Sequence, residues 1–182
     1  MSVPTAERAG PPGPGEAAPY YFRYIDRVPG GDILGVLETQ REQIRAFLTG
    51  ISEETSLRRY SLEKWSIRQV WSHVNDTELV FLSRAFWFAR GFESPLPSFD
   101  QDIAAAAAGA GEVPWSDHIE QFEGTRRTTL AFYRNLPEEA WSRKGVASGN
   151  PFTVRAMAYI IAGHAAHHRA ILEEWYLPPP PR

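Results

Sequence analysis

Residues 153–176 read TVRAMAYIIAGHAAHHRAILEEWY and predict one long helix, from about Thr153 to Tyr176. Its core-facing residues recur at helical spacing and form a single stripe. His164 and His168 lie about 40° apart on a helical projection, so both imidazoles point toward the core. An imidazole is costly to bury without a partner, so this pair requires a chemical explanation. The full stripe consists of Met157, Ile160, Ile161, His164, His168, Ile171, Leu172 and Trp175.

Three further helices are predicted upstream of this one, each from periodic apolar residues. A capping box of Ser66 and Gln69 begins the second, and Pro137 follows the third where a helix must stop. Little of the chain has the pattern of a strand, so the fold class is all-α, with four helices packed as a bundle. The three helices run from about Asp32 to Leu48, from Ser66 to about Trp87–Arg90, and from about Ser116 to Asn135.

The connection from Phe92 to Pro114 is unusually long, and its alanine run favours a short extra helix. Connections of this length in a compact domain often form a lid or a pocket wall. A faint internal repeat also relates the second and fourth helices, because Ser66-Ile67-Arg68 matches Thr153-Val154-Arg155. This repeat predicts two helical hairpins related by a rough two-fold axis.

The chain of 182 residues fits one domain, which we place at residues 20–177. Residues 1–19, rich in Pro, Gly and Ala, are expected to be a disordered tail, and residues 178–182 a short proline-rich end. With no secretory leader and no cysteine, a cytoplasmic location is expected.

The composition also limits the partners. The net charge of −3 disfavours nucleic acid, and no apolar run is long enough to cross a membrane. We expect a small-molecule substrate instead. The helices carry more aromatic residues than one bundle needs, which makes a homodimer a further expectation.

A third inward histidine, His73, lies on the stripe of the second helix. His164 and His168, four residues apart, have Cβ atoms about 5–6 Å apart, so both rings can bind one ion, and His73 can complete a divalent-metal site. The alternative is that each is a hydrogen-bonded core residue. His167 lies at the edge of its stripe and is expected to be peripheral, either behind a histidine of the site or at its rim. His118, in the first turn of the third helix, is expected at the surface.

Three more polar residues of the second helix are candidates for roles near this site. Thr77 shares the face of His73 and could reach a cavity, or bond to its own helix backbone. Arg84 lies on the same face, where it could hold an anionic substrate group or extend out to solvent. Asp76 could orient an imidazole, or remain a solvated acid.

KWSIRQVWSHVNDTE (residues 64–78) resembles the second-helix signature of the DinB/YfiT-like family, and GHAAHHRAIL (163–172) resembles its fourth-helix motif. The resemblance covers about residues 32–176. It implies the family's four-helix bundle, with a long crossover between helices 2 and 3. It also implies His73, His164 and His168 as metal ligands. Many members have Gly-Gln after the His-Arg pair, where this chain has Ala170 and Ile171.

Three imidazoles leave a divalent ion, with zinc or nickel favoured, open to a further ligand, which is typical of a catalytic site. Such a site could activate a low-molecular-weight thiol or a water. The resemblance favours a metal-dependent enzyme that transfers the thiol to an electrophilic substrate. A metal-dependent hydrolase and a non-catalytic metal-binding stress or binding protein stay open as alternatives. The sequence identifies no further catalytic residue.

Overall fold

The computed structural model describes residues 10–177. Four long helices form the bundle, and shorter elements connect them. The helices are α1 (Phe22–Ile25), α2 (Ile33–Thr49), α3 (Glu53–Ser56), α4 (Ile67–Ala89), α5 (Gln101–Ala107), α6 (Trp115–Arg134) and α7 (Val154–Ile171). The strands β1 (Lys144–Ala147) and β2 (Asn150–Thr153) form an antiparallel hairpin, 3-10 turns span Pro19–Tyr21 and Glu138–Ser142, and a π-helical turn spans Leu172–Tyr176.

The predicted helix starts are confirmed, and side-chain caps explain those of α2, α4 and α7, whereas α6 begins after Pro114 without a side-chain cap. The Asp32 carboxylate accepts a hydrogen bond from the backbone N–H of Leu34 at the start of α2. Ser66 and Gln69 form the expected capping box at α4. Thr153 caps α7 by accepting from the N–H of Ala156. These caps satisfy backbone donors that the first helical turn would otherwise leave unpaired.

Consecutive long helices do not pack as the predicted hairpins. In the described chain, α4 packs mainly against α7 and α6, while α2 packs against α6 and α7. The two helices of each predicted hairpin, α2 with α4 and α6 with α7, therefore lie diagonally across the bundle. The connections of residues 50–66 and 135–153 explain the difference, because each is long enough to cross one end of the bundle.

α4 and α7 run antiparallel, which their end contacts show. The Tyr176 hydroxyl, after α7, donates to the carbonyl of Trp65, before α4, at 2.8 Å. At the other end, Arg84 of α4 donates to the hydroxyl of Ser148, before α7, at 3.0 Å. The N-terminal third of α4 therefore faces the C-terminal half of α7, and His73 is brought opposite His164.

The internal repeat has a structural counterpart. Arg68 is buried beside the start of α4 and is paired with Glu53. Arg155, at the matching position of α7, is paired with Glu16. Each arginine thus holds an upstream segment against the start of its helix through an ion pair.

Two predictions about the ends of the domain need correction. Residues 10–19 of the predicted tail lie on the bundle, because Glu16 bonds to Arg155 and Thr153 and Ala17 is buried. Trp175, expected inside, is 56% exposed, while Tyr176 is buried. The π-helical turn after α7 has more residues per turn than an α-helix and rotates the stripe by one position. Residues 1–9 and 178–182 lie outside the described residues.

The connection from α4 to α6 confirms the predicted crossover. It carries α5, which includes most of the alanine run. Leu96 pairs with Ala147 of β1, so the crossover lies against the hairpin. In the described chain, no helix is both long and apolar enough to cross a membrane.

A buried polar network joins all four long helices. Arg126 of α6 donates from Nε and Nη2 to the two carboxylate oxygens of Glu78 on α4, at 2.8 and 2.9 Å. Its Nη1 donates to Oε1 of Gln40 on α2 at 2.7 Å. Gln40 in turn donates from Nε2 to the carbonyl of Ala162 on α7 at 2.8 Å. The side chains of Arg126 and Glu78 are almost completely buried.

We predict that Arg126→Met destabilises the fold, because it leaves the Glu78 carboxylate buried without its counter-charge. The expected loss is about 3–5 kcal/mol in the free energy of unfolding, measured by urea denaturation. Arg134→Met is the matched control on α6. Arg134 is largely exposed beside Glu38, so its loss should be below about 1 kcal/mol. Equal losses for the two variants would contradict this role of the network.

Candidate metal centre

Three histidines from two helices meet at one point. Nε2 of His164 lies 3.1 Å from Nε2 of His73 and 3.1 Å from Nε2 of His168. The candidate ligand atoms of the three residues all lie within 4.8 Å of one another. Nitrogen ligands that share one zinc ion at 2.0–2.1 Å lie roughly 3.3 Å apart, so this spacing suits a single ion. No other group of this kind occurs in residues 10–177.

Hydrogen bonding alone does not satisfy these rings. An imidazole nitrogen has one in-plane site, which carries either a proton or a lone pair. Nε2 of His164 therefore serves at most one good hydrogen bond, yet it has two nitrogen neighbours at 3.1 Å. A cation bound by three lone pairs resolves the conflict. The residues present fit a divalent metal better than a set of hydrogen-bonded core histidines.

Burial keeps the three rings neutral, which is the form that binds metal. His73 and His164 are buried, and His168 is partly buried. Burial lowers the pKa of His73 to about 4 and that of His168 to about 3. It also holds the pKa of His164 well below its ordinary value, with the neighbouring histidines adding to the effect. The site is therefore uncharged near pH 7 before a cation enters.

Aromatic rings and one glycine complete the walls. The rings of Tyr24 and His164 make an edge contact with centroids 5.2 Å apart, and Trp65 lies 5.3 Å from His73. A Cβ at Gly163 would lie 2.0 Å from the carbonyl oxygen of Tyr24. Glycine is required here because the backbone of α1 touches α7 one residue before His164.

A cavity of about 240 Å³ opens beside the histidines. Its walls come from α4 and α7, from the N-terminal segment (residues 10–25), from the crossover and from the hairpin turn. None of the described residues that line it is an Asp or a Glu. The lining consists of Tyr20, Tyr21, Tyr24, His73, Thr77, Val80, Phe81, Arg84, Phe99, Gln101, Ser148 and His164.

The structure brings two of the remaining candidate residues into this cavity. Thr77 lines it, and its hydroxyl oxygen lies 3.4 Å from Nδ1 of His73. A metal-binding histidine commonly donates its second ring N–H to such an oxygen, which fixes the ring. Arg84 lines the far end of the same cavity.

The other two candidates lie outside the cavity lining. The ring of His167 contacts those of His168 and Tyr24, with centroids 5.1 and 5.5 Å apart. Asp76 is half-buried, and in the described chain it forms no hydrogen bond with the three histidines. Burial raises the pKa of its carboxyl, and the neighbouring His118 opposes this shift. Nothing in the structure supports Asp76 as the group that orients an imidazole.

The prediction that His118 lies at the surface is wrong. His118 is only 2% exposed, and Nε2 donates to the carbonyl of Ala110 at 3.1 Å. The end of the crossover covers the first turn of α6, and helical periodicity carries no information about such a segment. For the same reason, the sequence did not predict the cavity residues that come from the N-terminal segment, the crossover and the hairpin turn.

The fold and the site together define a helical bundle with a three-histidine candidate metal centre. A family model described as the DinB superfamily matches residues 36–172, so the chain belongs to that superfamily. The chain is 26% identical over 136 residues to an Oceanobacillus iheyensis protein named "Putative metal-dependent hydrolase OB0413". The match covers 74% of this chain and 78% of that protein.

A solved structure has the same fold. YfiT from Bacillus subtilis, described as "a probable metal-dependent hydrolase with an unusual four-helix bundle topology", superposes with a TM-score of 0.68. It is 16% identical, and the match covers 87% of each chain. This likeness confirms the predicted four-helix bundle.

We predict that the purified protein binds about one equivalent of zinc or nickel, measured by elemental analysis of untagged protein. His73→Ala and the double variant His164→Ala/His168→Ala should each lose it, because both remove part of one ligand set. His118→Ala is the matched control, since its buried imidazole lies outside the triad. Retention of metal by the double variant would contradict a shared site.

We predict that the metal-free protein loses stability as the pH falls from about 6.5 toward 4. The folded-state pKa values of His73 and His168 lie below the unfolded value near 6.5, so the unfolded chain binds more protons there. The expected slope is about 1.4 kcal/mol per pH unit for each histidine. His73→Gln/His168→Gln should flatten the dependence of the free energy of unfolding on pH. Parallel curves for wild type and variant would contradict the burial of these rings.

Proposed function

We propose that this protein is a metal-dependent enzyme that transfers a low-molecular-weight thiol to a small electrophilic substrate. The single observation that carries the proposal is the convergence of three neutral imidazoles on one point at the end of a cavity. His73, His164 and His168 would hold the cation, and Thr77 would fix the ring of His73. When bound, a divalent cation supplies a positive charge that lowers the pKa of a thiol or a water.

The lining of the cavity favours a thiol over water as the nucleophile. Hydrolysis at metal sites commonly uses a carboxylate or histidine as general base. Asp102 of α5 acts on the pKa of His73, but it is not among the described residues that line the cavity, and the pKa values of the buried histidines are strongly lowered. A free thiol has a pKa near 8.5, against 15.7 for water, so it ionises with less help. The chain has no cysteine, so the thiol must come from a cosubstrate.

In the proposed reaction the thiol loses its proton to solvent, and its sulfur forms a bond to the electrophilic carbon. The leaving group departs with the electron pair of the bond that breaks. The side chains of Tyr24, Phe81 and Phe99 line the cavity and limit the water around the reacting carbon. Their apolar surface suits a small organic electrophile.

Hydrolysis at the same centre is the second candidate, and the names of the two relatives above favour it. A cytoplasmic location and a homodimer belong to the same proposal, on the composition of the chain alone.

We predict that the zinc- or nickel-loaded protein accelerates the displacement of chloride from 1-chloro-2,4-dinitrobenzene by cysteine or glutathione, followed by the absorbance of the thioether. The His164→Ala/His168→Ala variant should fall to the uncatalysed rate, and His118→Ala should keep full activity. Turnover of 4-nitrophenyl acetate without any thiol, and no thiol transfer, would replace the proposal by the hydrolase. No activity of either kind in metal-loaded protein would support a binding protein.

A further inference from the structure

Arg84 is a buried cation without an anionic partner. Its residue is 5% exposed, and one nitrogen, Nη2, donates to the carbonyl of Pro97 and to the hydroxyl of Ser148, each at 3.0 Å. No carboxylate of residues 10–177 forms an ion pair with it. The other buried arginines behave differently, since Arg126 is paired with Glu78 and Arg68 with Glu53.

Most donors of this guanidinium are unused. An arginine has five N–H donors in a planar fork, and the two contacts of Arg84 engage only its Nη2 group. Nε and Nη1 have no hydrogen-bond partner among the described residues. The Phe81 ring lies 5.6 Å from Cζ of Arg84, but no carboxylate neutralises the charge, and a charge buried without a counter-charge is costly. Burial lowers the pKa of the guanidinium, and the neighbouring Tyr21 opposes this shift.

Arg84 faces the cavity of the histidines. His73, Thr77 and Arg84 lie on one stripe of α4, and all three line the cavity. Arg84 follows His73 by 11 residues, so their Cα atoms lie roughly 16 Å apart along the helix axis. The side chains of His73 and Arg84 span part of this distance, and the cavity that both line occupies the rest. A molecule of small size can therefore contact Arg84 at one end and the histidines at the other.

The neighbour that positions Arg84 lies in the turn of the β-hairpin. Ser148 has a φ of 52°, and it is the one non-glycine residue with positive φ in the described chain. Its backbone N–H donates to the carbonyl of Leu96 at 3.1 Å, and its own carbonyl accepts from Asn150 at 2.8 Å. Ser148 and Gly149, with a φ of 71°, are the two central residues of the hairpin turn, which requires positive φ at both positions. The turn therefore fixes a hydroxyl against the guanidinium at the cavity wall.

We propose that Arg84 binds the carboxylate of a small molecule whose reacting atom lies at the three histidines. The proposal rests on the function proposed above and adds the substrate class, a monocarboxylate. A planar guanidinium with free donors matches a carboxylate in a bidentate pair. One cation in a cavity of about 240 Å³ suits a single negative charge. Tyr21, Phe81 and Phe99 supply apolar surface for the rest of the molecule.

The test compares an acid with its neutral amide by isothermal titration calorimetry, with metal-free and zinc-loaded protein. The probes are 3-phenylpropionate and 3-phenylpropionamide for the electrophile, and N-acetylcysteine and its amide for the thiol. Wild type should bind at least one acid more tightly than its amide. Arg84→Met should weaken binding of that acid roughly tenfold or more and leave the amide unchanged. Arg84→Lys should restore part of the preference.

Arg90→Met is the matched control, because Arg90 ends the same helix but is exposed. It should leave all four affinities unchanged. If 3-phenylpropionate binds more tightly than its amide, the electrophile carries the carboxylate. If N-acetylcysteine binds more tightly than its amide, the thiol carries it. The titrations of metal-free protein test carboxylate binding by Arg84 even if the protein binds no metal. Failure of the metal site and failure of this inference are therefore distinguishable.

A purely structural role for Arg84 predicts a different pattern. Arg84→Met would then lower the thermal midpoint, because the crossover and the hairpin turn lose their common donor. The acid and the amide would bind equally well to wild type, or the preference would survive in the variant. Either binding result would overturn the proposal. An unchanged or raised midpoint together with a lost preference is the result that we expect.

Discussion

The bidentate ion pair between Arg126 and Glu78 is the contact on which the architecture of this site depends. It lies in the centre of the bundle, where two charges are stable only while they remain paired. Any sliding of α6 along α4 would separate them in a low-dielectric interior. Gln40 extends the constraint from Arg126 to the backbone of α7 at Ala162. The network therefore fixes the axial position of all four long helices.

The meeting of the three histidines depends on this axial alignment of α4 and α7. Glu78 lies one residue after Thr77, and Ala162 lies two residues before His164. A shift of one helical turn, about 5.4 Å, would carry His73 away from the other two rings. Two apolar clusters flank the triad along α4 and α7, with Val74 and Ala165 on one side and Phe81 and Ile161 on the other. The rings are thus held rigidly and kept neutral by burial.

The sequence was enough to predict the four long helices and the three histidines of the candidate metal site. Periodic apolar residues and the caps at Asp32, Ser66 and Thr153 mark the helices, and these signals are local. The spacing of His164 and His168 on one face is local as well. Their meeting with His73 followed from the resemblance and from its position on an inward stripe, and the structure bears it out.

What could not be predicted depends on contacts between distant segments. The diagonal packing, the burial of His118 and the placement of Ser148 against Arg84 all arise from connections that cross the bundle. Arg126 and Gln40 look like ordinary surface residues in the sequence, because a buried ion pair leaves no periodic signal. The site is best tested by X-ray absorption at the zinc edge of protein loaded with one equivalent of zinc. We predict three imidazoles and at least one light, non-imidazole ligand around each zinc. A spectrum with fewer than three imidazoles would contradict the three-histidine centre, and four would contradict an open position.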